Sequence, residues 1–216
     1  MHQFMSATTF EIQHLQSVRV LRLQSDDGTN RLTREFVLSL TKAISELAYD
    51  ATPVVIGGND RFFSAGAELR EIAALDAVTA CEFSRMGQAL MAEIDSFPCL
   101  VYAAISGNCM GGGLDLALAC HRRIASPDAV FGHRGAALGL ITGWGGTQRL
   151  PRVIGRARAL EMLVAAEKLT AKQALQIGLV DLIASDPVAE SILQVEASLP
   201  DSGLARIAPF HPAGIP

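Results

Sequence analysis

The chain has 216 residues, a formal net charge of −4 and a hydrophobic fraction of 50%, which suits one domain with a sizeable core. No long basic run is present, which argues against nucleic acid or an anionic membrane as a partner. Apolar stretches such as 100–105 are too short to cross a bilayer, and residues 1–10 lack a signal-peptide pattern. The four cysteines have neither metal nor disulfide spacing, so we expect a cytoplasmic protein without a bound metal.

Buried strands and helices alternate in chain order, which favours an α/β protein with parallel strands and crossover connections. Strands are predicted over 18–23, 53–56, 99–105, 122–125, 129–131 and 180–183. Helices are predicted after the N-cap Thr33, over 76–97, 114–120 and 157–166, after the capping box at Thr170, and from 187 to about 199; a further short helix opens at Gly145 and is interrupted by Pro151. We expect residues 1–186 to form the core and 187–216 to form a short helix and an irregular tail.

Two loops of small residues follow buried strands and lead into helices: Ser64–Ala67 and Met110–Gly113. The first backbone N–H groups of a helix have no partner within it, and the helix dipole favours negative charge there. Glycine lets a ligand approach the backbone closely. Two such N–H groups aimed at one point would stabilise an oxyanion, although each loop alone is also explained by a tight turn or close helix packing.

The ordered motifs along the chain resemble those of the enoyl-CoA hydratase/isomerase family, also called the crotonase family. They are Phe62–Leu69, the stretch from Ala104 to Ala117 with its three consecutive glycines, Gly145–Leu150 and Ala174–Val180. Together they cover roughly residues 15 to 190. A lone triple glycine would be a weak signal, whereas this set in this order is specific.

The resemblance implies a spiral of ββα units, here with a shortened C-terminal helical region, and an acyl-CoA thioester as ligand. Coenzyme A is then part of the substrate, and no separate cofactor is expected. The oxyanion hole is carried over to the N–H groups of Ala67 and Gly112. Arg70 falls where the family often has a basic residue near the CoA phosphates, and a solvated charge on a helix explains it equally well. The resemblance places the substrate near Ala65, Gly66, Arg70, Gly111, Gly135 and Trp144.

The resemblance implies that the family's hydratases use two glutamates for acid/base chemistry. This sequence has a different residue at each of those two positions. The first position holds Asp115, which can act as a lone acid or base or merely complement the helix dipole. The second holds Gly135, which cannot exchange a proton. His133 is a candidate substitute or a packing residue, and Arg134 is a candidate partner for Asp115 or for a substrate carboxylate. Trp144 either lines the acyl pocket or anchors the core.

Two functional hypotheses remain open at this point. The first is an acyl-CoA-processing enzyme, by hydration, isomerisation, decarboxylation or hydrolysis. The second is a non-catalytic acyl-CoA-binding paralogue, which the loss of the second glutamate favours. A Ser-His-Asp triad is less expected, since neither Ser64 nor Ser106 lies in a GxSxG elbow. The apolar content predicts a homo-oligomer based on trimers.

Overall fold

The structure is a computed structural model that describes residues 8–198. Within this range the strands form a six-stranded sheet of order β1-β2-β4-β7-β9-β12, a four-stranded sheet of order β11-β10-β8-β5, and the pair β3-β6. The strands are β1 (Thr8–His14), β2 (Arg19–Ser25), β3 (Arg31–Leu32), β4 (Val54–Gly57), β5 (Phe62–Ser64), β6 (Gly66–Ala67), β7 (Val101–Ile105), β8 (Asn108–Met110), β9 (Arg122–Ala125), β10 (Val130–Gly132), β11 (Lys168–Thr170) and β12 (Leu182–Ile183).

The helices pack around these sheets, and their caps follow from the sequence. Thr33 accepts a hydrogen bond from the Phe36 N–H at the start of α1, and Asp76 and Thr79 form a capping box at the start of α3. Such caps satisfy N–H groups that the helix itself leaves free. The helices are α1 (Arg34–Ala48), α2 (Leu69–Ala73), α3 (Ala77–Asp95), α4 (Gly112–Ala119), α5 (Gly146–Ile154), α6 (Arg156–Ala165), α7 (Ala171–Gln176) and α8 (Pro187–Ser198), with a 3-10 turn over Gly135–Leu138.

A ββα unit repeats along the chain. β4 of the large sheet leads to β5 of the four-stranded sheet and then to α3; β7 leads to β8 and α4; β9 leads to β10 and α5. All pairings among β2, β4, β7, β9 and β12 are parallel. The predicted spiral of ββα units is therefore confirmed.

Two structural expectations need correction. The sheets are not wholly parallel, because β1, which the sequence analysis did not identify, pairs antiparallel with β2, and β10 pairs antiparallel with β11. Pro151 does not interrupt α5, which continues to Ile154. The proline forgoes one helical hydrogen bond, but Leu150 and Ile154 are buried on either side of it and hold the helix against the core.

The core lies between the large sheet and helices α1, α3 and α4. Buried side chains from these elements, including Leu40, Leu90 and Leu116, join one apolar cluster. On the other sheet face, Val195 of α8 packs with Val20 and Tyr102. The predicted irregular tail over 200–216 lies outside the described residues.

No helix between residues 8 and 198 is long and apolar enough to cross a membrane. The same range contains no cluster of three or more His, Cys, Asp or Glu side chains that could hold a metal ion. All four cysteines are free thiols.

Candidate active site

Three neighbouring strands of the four-stranded sheet end side by side. In the parallel ladder, Cys109 of β8 is level with Ser64 at the end of β5, and Met110 is level with Gly132 at the end of β10. The segments that follow these strands therefore emerge at one edge of the sheet. This is the usual position of a ligand site in α/β proteins, and it brings together all three segments that carry predicted site residues.

The two small-residue loops converge at this edge. A Cβ placed on Gly66 would lie 3.0 Å from the Gly112 nitrogen and 2.6 Å from the Met110 oxygen. A Cβ placed on Gly112 would lie 3.3 Å from the Ala67 nitrogen. Only glycine permits so close an approach of two backbones. The structure thus brings the Ala67 and Gly112 N–H groups together, and both residues are only partly buried.

Neither of these N–H groups is taken up by the neighbouring strand or helix. Gly112 is the first residue of α4, where an N–H has no partner within the helix. β3 and β6 form a parallel pair in which the Glu68 N–H donates to the Leu32 carbonyl. Because successive N–H groups of a strand point to opposite sides, the N–H of the preceding residue, Ala67, points away from β3. The two donors are therefore available to a ligand oxygen.

A buried network holds the first loop in place. The Ser64 hydroxyl donates to the Asn30 carbonyl at 2.7 Å and accepts from the Gly66 N–H at 3.1 Å. The Asn30 amide donates to the carbonyls of Phe62 and Phe63, and the Ala65 N–H donates to the Thr29 carbonyl at 2.9 Å. Because these groups are buried and mutually satisfied, the loop is fixed before any ligand arrives.

Asp115 lies one turn into α4 from Gly112 and is only 1% exposed. The Thr142 hydroxyl donates a short hydrogen bond to its Oδ2. Its Oδ1 lies 3.1 Å from Nε2 of His133, which is an ion-pair distance when the imidazole is protonated. The approach lacks hydrogen-bond geometry, however, and neither atom has a hydrogen-bond partner within residues 8–198. Most buried polar side-chain atoms in proteins have a hydrogen-bond partner, so this pair stands out beside the two loops.

Gly146 closes the other side of this pair. A Cβ on Gly146 would overlap Asp115 Oδ1 and would lie 2.8 Å from His133 Nε2. The first turn of α5 therefore packs directly on the two side chains. His133 itself is held at the end of β10 and is 3% exposed, so sequence order and sheet register together bring it to Asp115.

Gly135 is a position where a side chain has little room. A Cβ there would lie 2.9 Å from the Leu140 carbonyl oxygen, because the Leu140 N–H folds back to donate to the Gly135 carbonyl at 2.9 Å. The backbone of residues 135–140 thus occupies the space that a side chain at position 135, where the resemblance implies a second carboxylate, would need. Of the two positions considered for acid/base chemistry, only Asp115 carries a carboxylate.

Trp144 anchors the core, one of the two roles considered from sequence, and it lies beside the two loops. It is 3% exposed, its Nε1 donates to the Phe83 carbonyl at 3.1 Å, and its ring packs on Phe83 with a centroid distance of 5.2 Å. Its ring edge also lies 2.6 Å from the position of a Cβ on Gly112. The indole is therefore a core anchor that borders the two loops.

The candidate arginines remain at the surface. Arg70 is exposed on α2, close in sequence to Ala67, and makes no side-chain ion pair within the described residues. Arg134 is also exposed and does not pair with Asp115, whose neighbours are His133 and Thr142. The expectation of an Arg134–Asp115 pair was wrong, since that carboxylate is buried on the far side of the loop backbone.

Cysteine chemistry is disfavoured at this site. Cys109 lies in β8 directly below the loops, and burial raises the pKa of its thiol well above the usual range. Burial likewise raises the pKa of Cys120 to about 12. Both thiols therefore stay neutral and are poor nucleophiles.

Sequence reasoning missed several residues of this arrangement. Thr142 and Asn30 contact the predicted residues only through the tertiary fold, and no local pattern distinguishes them from ordinary loop residues, while Gly146 lies in the Gly145–Leu150 motif but was not predicted to contact Asp115. A buried asparagine with φ of 50° is the type of residue that tolerates the left-handed region. The link from Asn30 to Ser64 joins residues that are 34 positions apart in the chain.

With this geometry established, comparison with known proteins identifies the class. The sequence profile of the enoyl-CoA hydratase/isomerase family matches residues 13–211. The chain therefore belongs to that family, and its ββα spiral is the crotonase fold.

Two curated relatives illustrate the range of the family. The chain is 41% identical over 174 residues to a protein named probable enoyl-CoA hydratase from Bacillus subtilis, covering 79% of this chain and 67% of that one. It is 42% identical over 170 residues to the fatty acid oxidation complex subunit alpha of Shewanella halifaxensis, covering 76% of this chain and 23% of that one. It thus spans about a quarter of the second relative.

Solved structures agree with this fold. An enoyl-CoA hydratase from Bacillus anthracis superposes with a TM-score of 0.82 at 30% identity, covering 87% of this chain and 75% of that one. The DspI protein of Pseudomonas aeruginosa superposes with a TM-score of 0.83 at 30% identity, covering 91% and 76%.

Proposed function

We propose that this protein binds an acyl-CoA thioester and stabilises the enolate of that thioester with the N–H groups of Ala67 and Gly112. The observation that carries the proposal is the convergence of the two loops, with both donors free and within reach of one oxygen. Negative charge that develops on the thioester oxygen is favoured there by two hydrogen bonds and by the amino end of α4. Arg70, exposed beside the first loop, is suited to the CoA phosphates.

We further propose that Asp115 moves the proton. Its carboxylate takes a proton from the carbon next to the thioester, and the electron pair passes to the thioester oxygen held at Ala67 and Gly112. In a 3-enoyl thioester the same proton returns to the far end of the double-bond system, which moves the double bond and needs no other reactant. The neighbouring His133, 3.1 Å from Oδ1, is placed to stabilise the charged carboxylate when its imidazole is protonated.

Isomerisation by a single acid/base group fits the side chains better than hydration by two carboxylates. Gly135 offers no proton, and the direct 3.1 Å approach of Asp115 and His133 leaves no place for a water molecule between them. Hydration remains the second candidate, because the Bacillus subtilis relative carries the name of a probable enoyl-CoA hydratase. In that case His133 replaces the missing glutamate as the second proton carrier. Binding without turnover is the third candidate.

An apolar groove supports the proposal of a homo-oligomer, which we expect to be based on trimers. We also expect the protein to be cytoplasmic. Leu138, Ile141, Leu160 and Val164 are each at least 60% exposed, and three of them border a cavity of about 520 Å³ next to α6. Exposed apolar surface of this kind is commonly covered by another subunit. Sedimentation as a monomer at micromolar concentration would contradict this.

The test is a panel of thioesters offered to the wild type and to Asp115→Asn. Crotonyl-CoA gaining one water indicates hydration, a 3-enoyl-CoA converted to its 2-enoyl isomer indicates isomerisation, and loss of carbon dioxide from malonyl-CoA indicates decarboxylation. Asp115→Asn keeps the shape and the Thr142 contact, and it should lower turnover by about a hundredfold or more while butyryl-CoA still binds by calorimetry. Full activity in the variant would exclude Asp115 as the proton carrier, and failure of the wild type to bind any acyl-CoA would refute the proposal.

A further inference from the structure

The indole of Trp144 fills the whole gap between α3 and α4 beside the two loops. On one side, a Cβ on Gly87 of α3 would overlap the pyrrole atoms Cγ, Cδ1 and Nε1. On the other side, a Cβ on Gly112 of α4 would lie 2.6 Å from Cζ3 and 2.8 Å from Cε3. A single side chain therefore touches both helix backbones, and a glycine at each contact lets it do so.

The indole is fixed in this position. Its N–H donates to the Phe83 carbonyl at 3.1 Å, and its ring packs on the Phe83 ring. Phe83, a residue of α3, is itself covered by the Arg34 guanidinium, which lies 5.8 Å from the centroid of the Phe83 ring. Because the N–H is satisfied and the ring is buried, rotating the indole out would cost a hydrogen bond and apolar contacts. Trp144 is thus a fixed wall and not a mobile gate.

This wall stands where an acyl chain would continue. With the thioester oxygen between the Ala67 and Gly112 N–H groups and the CoA on the exposed side of Arg70, the acyl group points inwards along α4 towards Asp115. In this binding mode the acyl group meets the Trp144 ring, which contacts Gly112, and the close-packed group of Asp115, His133 and Gly146.

We propose that Trp144 limits the length of the acyl chain, so that this protein selects short-chain acyl-CoA thioesters. The inference rests on the proposed thioester site. The indole is in contact with Gly87 of α3 on one side and Gly112 of α4 on the other, and Leu90 and Met91 of α3 are fully buried in the core, so a longer chain would have to displace the indole to pass between the two helices. Each methylene that finds buried apolar space increases affinity by about fourfold.

The experiment measures dissociation constants by calorimetry for butyryl-CoA and octanoyl-CoA, two saturated thioesters that differ only in chain length. We expect the wild type to bind butyryl-CoA at least tenfold more tightly. In Trp144→Ala the ratio should move towards octanoyl-CoA by at least tenfold, and in Trp144→Phe it should move in the same direction by less. Trp144 is the sole tryptophan, so its emission should also change when butyryl-CoA binds and stay unchanged with free CoA.

Phe36→Leu is the matched control, since Phe36 is equally buried but packs on Phe10 between α1 and β1. It should leave the ratio unchanged. Equal affinity of the wild type for both thioesters, or the same ratio in the wild type and the variants, would overturn the inference alone. If the folded wild type binds neither thioester, the proposed function fails together with it. Should Trp144→Ala not fold, the wild-type ratio and Trp144→Phe still decide the question.

Discussion

The candidate site consists of two halves that are built in different ways. One half is backbone: the Ala67 and Gly112 N–H groups, placed by strand ends and by glycines that allow a close approach. The other half is side chains: Asp115, His133 and Thr142, placed by packing between α4, β10 and α5. The resemblance drawn from sequence extends to the backbone half, whereas Asp115 and Gly135 differ from the two glutamates that it implies for the side-chain half. This difference teaches that ligand binding and reaction type can be varied separately within one fold.

Filling the space between the Ala67 and Gly112 N–H groups should have the largest effect on turnover. Gly112→Ala puts a methyl group 3.3 Å from the Ala67 nitrogen and 2.6 Å from the Trp144 ring, so the space for the thioester oxygen is lost. The variant keeps the N–H group, but an oxygen displaced from it loses that hydrogen bond. Loss of one oxyanion donor costs about a hundredfold to a thousandfold in turnover, and we expect a loss of at least a hundredfold. The measurement is the turnover rate on whichever thioester the wild type converts.

Gly57→Ala is the control for adding a methyl group at a buried glycine. Gly57 lies in β4, and its new Cβ would meet the flexible Val188 side chain at 3.3 Å. It should retain turnover within about threefold, because it lies outside both halves of the site. Near wild-type turnover in Gly112→Ala would mean that the backbone half does not hold the reacting oxygen.

Placing a carboxylate in the side-chain half by Gly135→Glu should have a smaller effect. We expect it to lower the unfolding free energy and to leave the reaction unchanged. In Gly135→Glu the new Cβ meets the Leu140 carbonyl oxygen at 2.9 Å, so the loop must shift. Overpacking of this kind costs about 1–3 kcal/mol of unfolding free energy, and the displaced glutamate should add no hydration of crotonyl-CoA.

Ala136→Glu is the matched control, since Ala136 is the exposed next residue. It should change the unfolding free energy by less than about 0.5 kcal/mol. If Gly135→Glu were as stable as this control and gained hydration activity, the loop would be adaptable and the departure from the family pattern would be a matter of one side chain.

The two halves also differ in how far they could be predicted from sequence. Strand-loop-helix order, the caps at Thr33 and Thr170, and both small-residue loops are local patterns, and the structure has them where they were expected. The contact of His133 with Asp115 depends on the register of β8 and β10, and Thr142 and Gly146 reach the carboxylate through a long-range packing of α5. No local pattern contains that information. The strand β1 was missed although Phe10 and Ile12 alternate with Glu11 and Gln13, because only two apolar residues mark its inner face.

A substitution at Asp27, which supports the first loop only through Thr29, should have the smallest effect on stability. Hydrogen bonds from the Thr29 hydroxyl at 2.7 Å and the Thr29 N–H at 2.9 Å, together with Arg31, lower the pKa of Asp27 to about 2. The Thr29 carbonyl in turn accepts from the Ala65 N–H. Asp27→Asn should therefore lower the unfolding free energy by at most about 1 kcal/mol at neutral pH, since the carboxylate is partly exposed and screened.

The pH dependence has a definite sign. Because folding lowers the pKa of Asp27 from its model-peptide value of 3.8 to about 2, its contribution is complete above the unfolded value and is lost as pH falls through that window. Denaturant unfolding of the wild type and of Asp27→Asn should therefore differ at pH 7 and converge as pH falls from 4 towards 2. Asp26→Asn, a change at the exposed neighbour, controls for the loss of one negative charge. A difference between the wild type and Asp27→Asn that stays constant across this range would show that the carboxylate does not brace the loop through its charge, and that the backbone half depends on the buried Asn30–Ser64 network alone.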